Sequence, residues 1–309
     1  MNKALPLLLA VLLCLPLQAA RAGTPLRFGV LPVLDTLPLR VAVEEGYFAE
    51  QGLDVELVSF NSALERDVAL QAGHLDGYFG DLIAAVLLLQ NGVDMPVVLT
   101  SYRTTPGQRM FGVVTSPKLA GASLADLKAR KVGYSKATIM DFLLDKIMEK
   151  HGLDQGHFEK VEVKKVPIRM QMLAQGQLDC AILPEALLSL AELQGGSVAA
   201  TAEDLDLPLT ILALDRRFST PGSGVNARFN TAYAKAVAAI GADPERWRGL
   251  MVRTCRVPGP LAGSFPVYQF PAPALPSPAE VGAVTAWMDG AGMLKTPMAY
   301  EDAVSPVAP

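Results

Sequence analysis

The sequence predicts an α/β protein built as two similar lobes, and three observations predict it. The segment Leu70-Gln71-Ala72-Gly73-His74-Leu75-Asp76 is echoed 103 residues later by Leu173-Ala174-Gln175-Gly176-Gln177-Leu178-Asp179. Around each copy, short β-branched or aromatic runs alternate with runs of helical period, the pattern of a parallel sheet covered by helices on both faces. Glycines punctuate both copies at matching places, with Gly73 to Gly92 and Gly176 to Gly195 each 19 apart.

Taken in order, residues 26–30, 55–60 and 75–79 read as strands, and residues 39–51 and 64–72 carry apolar side chains at helical spacing. Gly52, Gly73 and Gly92 stand where those helices should stop, as a left-handed C-terminal cap requires. In the second copy Val132-Gly133-Tyr134 matches Phe28-Gly29-Val30, and Val161-Glu162-Val163 matches Val55-Glu56-Leu57. Residues 138–150 form an amphipathic helix, with Ile139, Phe142, Leu143 and Ile147 on one face. Residues 96–103, 110–115 and 209–214 read as strands that join the units, and 231–240, 244–252 and 278–290 as helices between Pro-rich loops. The first lobe is therefore expected over residues 23–104 and 213–309 and the second over 105–212, with two crossing strands as a hinge and a cleft between lobes.

Residues 1–22 read as a secretory signal rather than as fold: Lys3 opens it, residues 4–17 are apolar, and Ala20-Arg21-Ala22 suits cleavage after Ala22. Leu13 before Cys14 argues against a lipid attachment site, so a freely soluble periplasmic protein is expected. That leader holds two of the 27 cations and none of the 31 acids, leaving a net charge of about −6 that disfavours nucleic acid and anionic membranes as partners. Cys180 and Cys255 remain, in segments assigned to different lobes, and are expected to be unpaired.

Several motifs together resemble a known family. Glu45-Gly46-Tyr47-Phe48, Gln51-Gly52-Leu53-Asp54-Val55, Leu124-Ala125-Asp126-Leu127-Lys128 and the tail from Leu275-Pro276 through Trp287-Met288 are similar, in order and spacing, to periplasmic binding proteins for sulfonates, taurine, nitrate and thiamine-pyrimidine precursors. The resemblance implies the type II periplasmic binding fold and partnership with an ABC permease and its ATPase in the inner membrane; a monomer is expected. It does not imply the ligand, because one fold serves many chemistries. Tyr47 and Phe48 read as packing residues, and Asp76 and Asp179 as backbone-turning residues.

Ligands in such sheets bind at the carboxyl ends of strands. The loops expected to face each other are then 31–36 (Leu34, Asp35, Thr36) with Ser135, Lys136, Ala137 and Thr138; Phe79, Gly80 and Asp81 with Pro184 and Glu185; and Asn61 with the segment around Arg169. Residues 135–138 open a helix and could hold an anion or simply cap it. Asp35, Asp81 and Glu185 could each be helix-capping, but together they suit a ligand with N–H donors or positive charge, such as an aminopyrimidine or amine, over a sulfonate or nitrate. Tyr78, Phe79 and Tyr102 could stack a ring, and Arg169 could pair an acidic group, although a solvated surface arginine is the simpler reading.

Two rivals remain. The same fold hosts pyrimidine-making and menaquinone-pathway enzymes, yet no metal-ligand cluster, nucleophile elbow or phosphate loop is present, and His74, His151 and His157 are expected to face solvent. No catalytic residue, metal or cofactor is therefore assigned. The other rival is a protein that presents its ligand to a membrane sensor.

Overall fold

The computed structural model describes residues 23–220 and 222–305. Residues 1–22, read from sequence as a secretory signal, lie outside the described residues. Two five-stranded sheets define two lobes. The first sheet contains β1 (Thr24–Val30), β2 (Leu53–Ser59), β3 (Gly77–Gly80), β4 (Val97–Arg103) and β10 (Pro208–Leu214), in the order β2-β1-β3-β10-β4. The second contains β5 (Phe111–Thr115), β6 (Lys131–Tyr134), β7 (Glu159–Glu162), β8 (Cys180–Pro184) and β9 (Val198–Thr201), in the order β7-β6-β8-β5-β9. The helices are α1 (Leu37–Glu44), α2 (Tyr47–Glu50), α3 (Ala63–Gln71), α4 (Leu82–Gln90), α5 (Ile139–Lys150), α6 (Val166–Ala174), α7 (Leu187–Leu193), α8 (Arg216–Ser219), α9 (Val225–Ala242), α10 (Arg248–Thr254), α11 (Pro278–Gly290) and α12 (Tyr300–Ala303). Among the described residues no helix is long and apolar enough to cross a membrane.

The repeat is visible atom by atom. In the first lobe a Cβ on Gly29 would meet Leu75 Cδ1 at 2.7 Å and Arg66 Cγ at 3.3 Å; in the second, a Cβ on Gly133 would meet Leu178 Cδ1 at 2.5 Å and Arg169 Cγ at 3.0 Å. Both glycines let a buried arginine and a leucine lie against the first strand of their unit. Asp76 and Asp179 do matching work, accepting from Arg27 N in the middle of β1 at 2.8 Å and from Lys131 N at the start of β6 at 2.9 Å, which ties each to the first strand of its unit.

Several expectations need correction. The single helix expected over 39–51 is two, α1 and α2, because Gly46 adopts φ +72° between them. The sheets are mainly parallel, but each carries one reversed strand: β10 runs antiparallel to β3 and β4, and β5 runs antiparallel to β8 and β9. Strands that carry the chain between lobes must enter against the direction of the βαβ strands. The expected boundary at 212/213 falls inside β10, which pairs with first-lobe strands from Pro208 onward. His157 is buried, not solvent-facing, with Nε2 at 2.9 Å from Leu124 O and its ring edge-on to Phe158. Both cysteines are free and buried, Cys180 in the second sheet and Cys255 at the end of α10 against the first lobe.

The chain crosses between lobes at 104–110 and 202–207. The crossings are tied by Thr104 N to Leu207 O and Leu207 N to Thr104 Oγ1, both 2.9 Å. The tail returns to the first lobe, where Ser305 N donates to Val97 O at 2.9 Å. An irregular stretch, 256–277, spans the hinge; Gln269 N donates to Gln108 Oε1 at 2.6 Å and Thr100 N to Ala274 O at 2.7 Å. Because β4, β10, β5 and β9 gather on the hinge side, the β2 and β7 edges of the sheets lie farthest from it.

Candidate functional site

At the cleft edge of the first lobe, the turn after β1 places Asp35 in a short 3-10 helix (Leu34–Thr36), buried with Leu34 and Thr36. Thr36 Oγ1 donates to Val33 O at 2.7 Å, and Ser101 Oγ donates to the Asp35 carbonyl at 3.0 Å, so the turn is fixed by its own backbone. The Asp35 carboxylate is not a cap. Its Oδ2 has no hydrogen-bond partner among the described residues, nor do Thr210 Oγ1 and Tyr102 OH. Thr210 lies beside the carboxylate and holds its pKa down somewhat without reaching hydrogen-bond geometry, whereas burial dominates and raises it to about 6. Burial also pushes the Tyr102 phenol up, reinforced by nearby Tyr268 and Asp35. Phe270 packs edge-on to Tyr102 at 5.7 Å. The neighbours of Asp35 therefore form an aromatic wall with three unanswered polar groups, which native interiors rarely leave so.

Asp81 caps α4, accepting from Ala84 N at 2.8 Å through Oδ1. Its Oδ2 reaches across the cleft to Ile139 N, 3.4 Å away in the first turn of α5. The residue keeps some solvent contact, but the protein packed around it still raises its pKa by desolvation. Behind it lies Arg66, 1 % exposed, donating Nη1 to Phe79 O at 2.5 Å and bonding Asp67, with its guanidinium 5.1 Å from the Tyr78 ring centre. Phe79 and Tyr78 are both buried and Gly80 is enclosed, while Asn61 is exposed and accepts from Arg256 Nη2 at 2.6 Å. Arg66 was missed from sequence; the signal for it is that it stands 103 residues before Arg169, the repeat offset.

In the second lobe, Thr138 is the cap of α5, accepting from Met140 N at 3.2 Å. Ser135 instead bonds Arg169 Nη2. Ala137, at φ +57°, donates its N–H to Asp141 Oδ2 at 3.0 Å, and Lys136 is exposed. Arg169 is not a surface residue: it is fully buried, which lowers its pKa to about 9. All five of its N–H groups are engaged, with Val163 O twice, Ile182 O, Ser135 Oγ and Met140 Sδ. It has none left for a ligand. Glu185, following buried Pro184, pairs with Arg109 Nε at 2.9 Å and accepts from Ser189 N at 3.1 Å. Burial raises its pKa against those contacts. Tyr268, from the stretch spanning the hinge, is near enough to Glu185 and Arg109 to feel their charges.

Of the three acids read from sequence, Glu185 is thus neutralised by Arg109, Asp81 caps α4 and accepts from the first turn of α5, and Asp35 is left unanswered. A shallow surface depression near Thr115 and Met170 lies at the opposite end of the second sheet and is not this cleft. No group of three His, Cys, Asp or Glu side chains able to hold a metal exists among the described residues.

Two mixed α/β sheets, a double crossing and facing loop sets define the two-lobed architecture of periplasmic binding proteins. Structures of that class superpose along most of the chain. The ligand-binding component of an ABC-type import system from Staphylococcus aureus has a TM-score of 0.76 at 17% identity, covering 92% of this chain and 97% of that one. The alkanesulfonate-binding protein SsuA from Xanthomonas axonopodis pv. citri gives 0.75 at 19%, covering 91% and 98%. The nitrate-binding protein NrtA from Synechocystis PCC 6803 gives 0.59 at 17%, covering 76% and 68%. Within that class, the chain belongs to the NMT1-like family, whose model matches residues 19–246. The bicarbonate-binding protein CmpA of Synechococcus elongatus is 29% identical over 128 residues, 39% of this chain and 26% of that protein. The chain thus matches about a quarter of the length of that curated relative.

Proposed function

We propose that this protein is the extracytoplasmic solute-binding component of an ABC importer, closing its lobes over a small polar organic molecule and delivering it to a permease. Family membership and the fold support the transport role. The neutralised Glu185 and the buried thiols, with pKa values pushed up to about 12 at Cys180 and about 11 at Cys255, fit a binder better than a catalyst. The ligand reading rests on one observation: Asp35 Oδ2, Thr210 Oγ1 and Tyr102 OH are buried beside one another without partners. Leaving such groups unpaired costs about 1–3 kcal/mol each, so a bound solute that donates hydrogen bonds is favoured strongly. A ring carrying N–H groups, or an amine, matches a carboxylate flanked by hydroxyls and an aromatic wall.

Native mass spectrometry of the protein purified from its own host tests this directly. The expected result is a co-purified nitrogenous solute that Asp35→Asn no longer retains. An inorganic anion or a simple sulfonate in its place would overturn the ligand class.

A further inference from the structure

Two of the three solved relatives named above are named for binding alkanesulfonate and nitrate, and the curated one for bicarbonate, all three ligands being anions. An anion in an interlobe cleft is attracted by helix N-termini, where amides are unpaired and the dipole is positive. The start of α5 is such a place in the second lobe, and here the chain's own side chains already occupy it. Ile139 N donates to Asp81 Oδ2 at 3.4 Å, Ala137 N to Asp141 Oδ2 at 3.0 Å, and Met140 N to Thr138 Oγ1 at 3.2 Å. Two of those three acceptors are carboxylates, and one comes from the opposite lobe. The nearest cation of the first lobe, Arg66, is bonded to Asp67 rather than free to balance a further negative charge. Ser135, the other donor expected there, is held by Arg169.

Resting on the solute-binding reading, we propose that Asp81 is a specificity-determining residue that excludes anions from this cleft. In the closed form its carboxylate takes the first-turn amide that an anionic ligand group would use and sets a negative charge at that point. An incoming anion must either displace Asp81 or lie beside it, and like charges in a poorly solvated site repel. Recognition falls instead to the unpartnered group around Asp35, an independent observation that calls for a hydrogen-bond donor. Asp81 bonds helices of both lobes at once, so it also favours closure without an anion between them.

The test compares the wild-type protein with Asp81→Asn and Asp81→Ser, titrated with sodium nitrate, bicarbonate and methanesulfonate by calorimetry. Serine retains the ability to cap α4 while removing the charge, which guards against a variant that merely unfolds. The expected result is weak or absent anion binding by the wild type and a gain of about tenfold or more for at least one probe in Asp81→Ser, the scale of one charge-assisted hydrogen bond. Equal anion affinity in the two proteins overturns the inference. So does a folded Asp81→Ser that takes no anion while wild type still carries its own solute. If neither protein retains any solute or compacts with one, the solute-binding reading beneath it fails instead.

Discussion

Asp35 concentrates the chemistry of the first lobe because its carboxyl is buried without being answered. Its pKa rises to about 6 from an ordinary 3.8, chiefly through desolvation. The folded protein therefore holds a proton that the unfolded chain has already released between those two pH values. Stability of the ligand-free protein should fall as pH climbs from about 4 through 6, and the full penalty, about 3 kcal/mol, should persist above that range. Asp35→Asn removes the titration. Urea unfolding of the ligand-free variant is expected to be flat in pH over this interval and, at pH 7, up to about 3 kcal/mol more stable than wild type. Its affinity for the native solute should fall at the same time, because the amide has one acceptor oxygen where the carboxylate has two. Identical pH dependence in the two proteins would show that Asp35 is answered by protein after all.

At the scale of elements, each lobe hangs its third strand on an arginine from the preceding helix. Arg66 on α3 donates to Phe79 O on β3, and Arg169 on α6 donates to Ile182 O on β8. The two differ in how completely they are used. Arg169 also bonds Val163 O and Ser135, so Arg169→Met strands two carbonyls and a hydroxyl in the interior and should cost about 3–5 kcal/mol. Arg66 spends its other bonds on Asp67, which water can reach, so Arg66→Met should cost about 1–2 kcal/mol less. Chemical denaturation of the pair measures the ranking; equal losses would mean the second-lobe network adds nothing. Much of this architecture was legible beforehand. The 103-residue echo, the stop glycines and the periodicity of residues 138–150 were enough to place two units and the edge where their loops gather. What could not be read is burial of charge. Arg169 looked solvated because arginine usually is, and only the packing of Gly133 and Leu178 around its stem reveals otherwise. His157 was misread for the same reason, and Gly46 was read as part of a helix because no local rule separates a tolerated glycine from a left-handed break. Pairings such as Arg109 with Glu185 join residues 76 apart in sequence, and no spacing rule anticipates them.

The two lobes are joined at more places than the cleft. Trp287 on α11, which packs with the first lobe, donates Nε1 to Asp145 on α5 at 3.0 Å and meets Phe142 edge-on at 5.3 Å. Lys160 at 2.7 Å supports Asp145 from the neighbouring strand. This contact joins the lobes away from the loops proposed to hold the ligand, so a rotation about the paired crossings at Thr104 and Leu207 would strain or break it. The chain has two tryptophans, and the other, Trp247, is buried with its Nε1 donating to Ala239 O inside the first lobe. Trp247→Phe therefore leaves Trp287 as a single reporter of the boundary between lobes. Its emission should lie to the blue and be sensitive to Asp145→Asn in the solute-bound protein, and should move to the red when the solute is stripped by partial unfolding and refolding. Solution scattering on the same samples should show the radius of gyration falling as the emission moves blue, because both follow one rigid-body rotation. Phe142→Ala removes an aromatic partner from the second lobe without touching the proposed ligand contacts. It should shift the ligand-free population toward the open form and weaken apparent affinity by the fraction of closed protein lost. Scattering that compacts while Trp287 stays unchanged would place the rotation axis through α11 and α5 instead of through the two crossing strands.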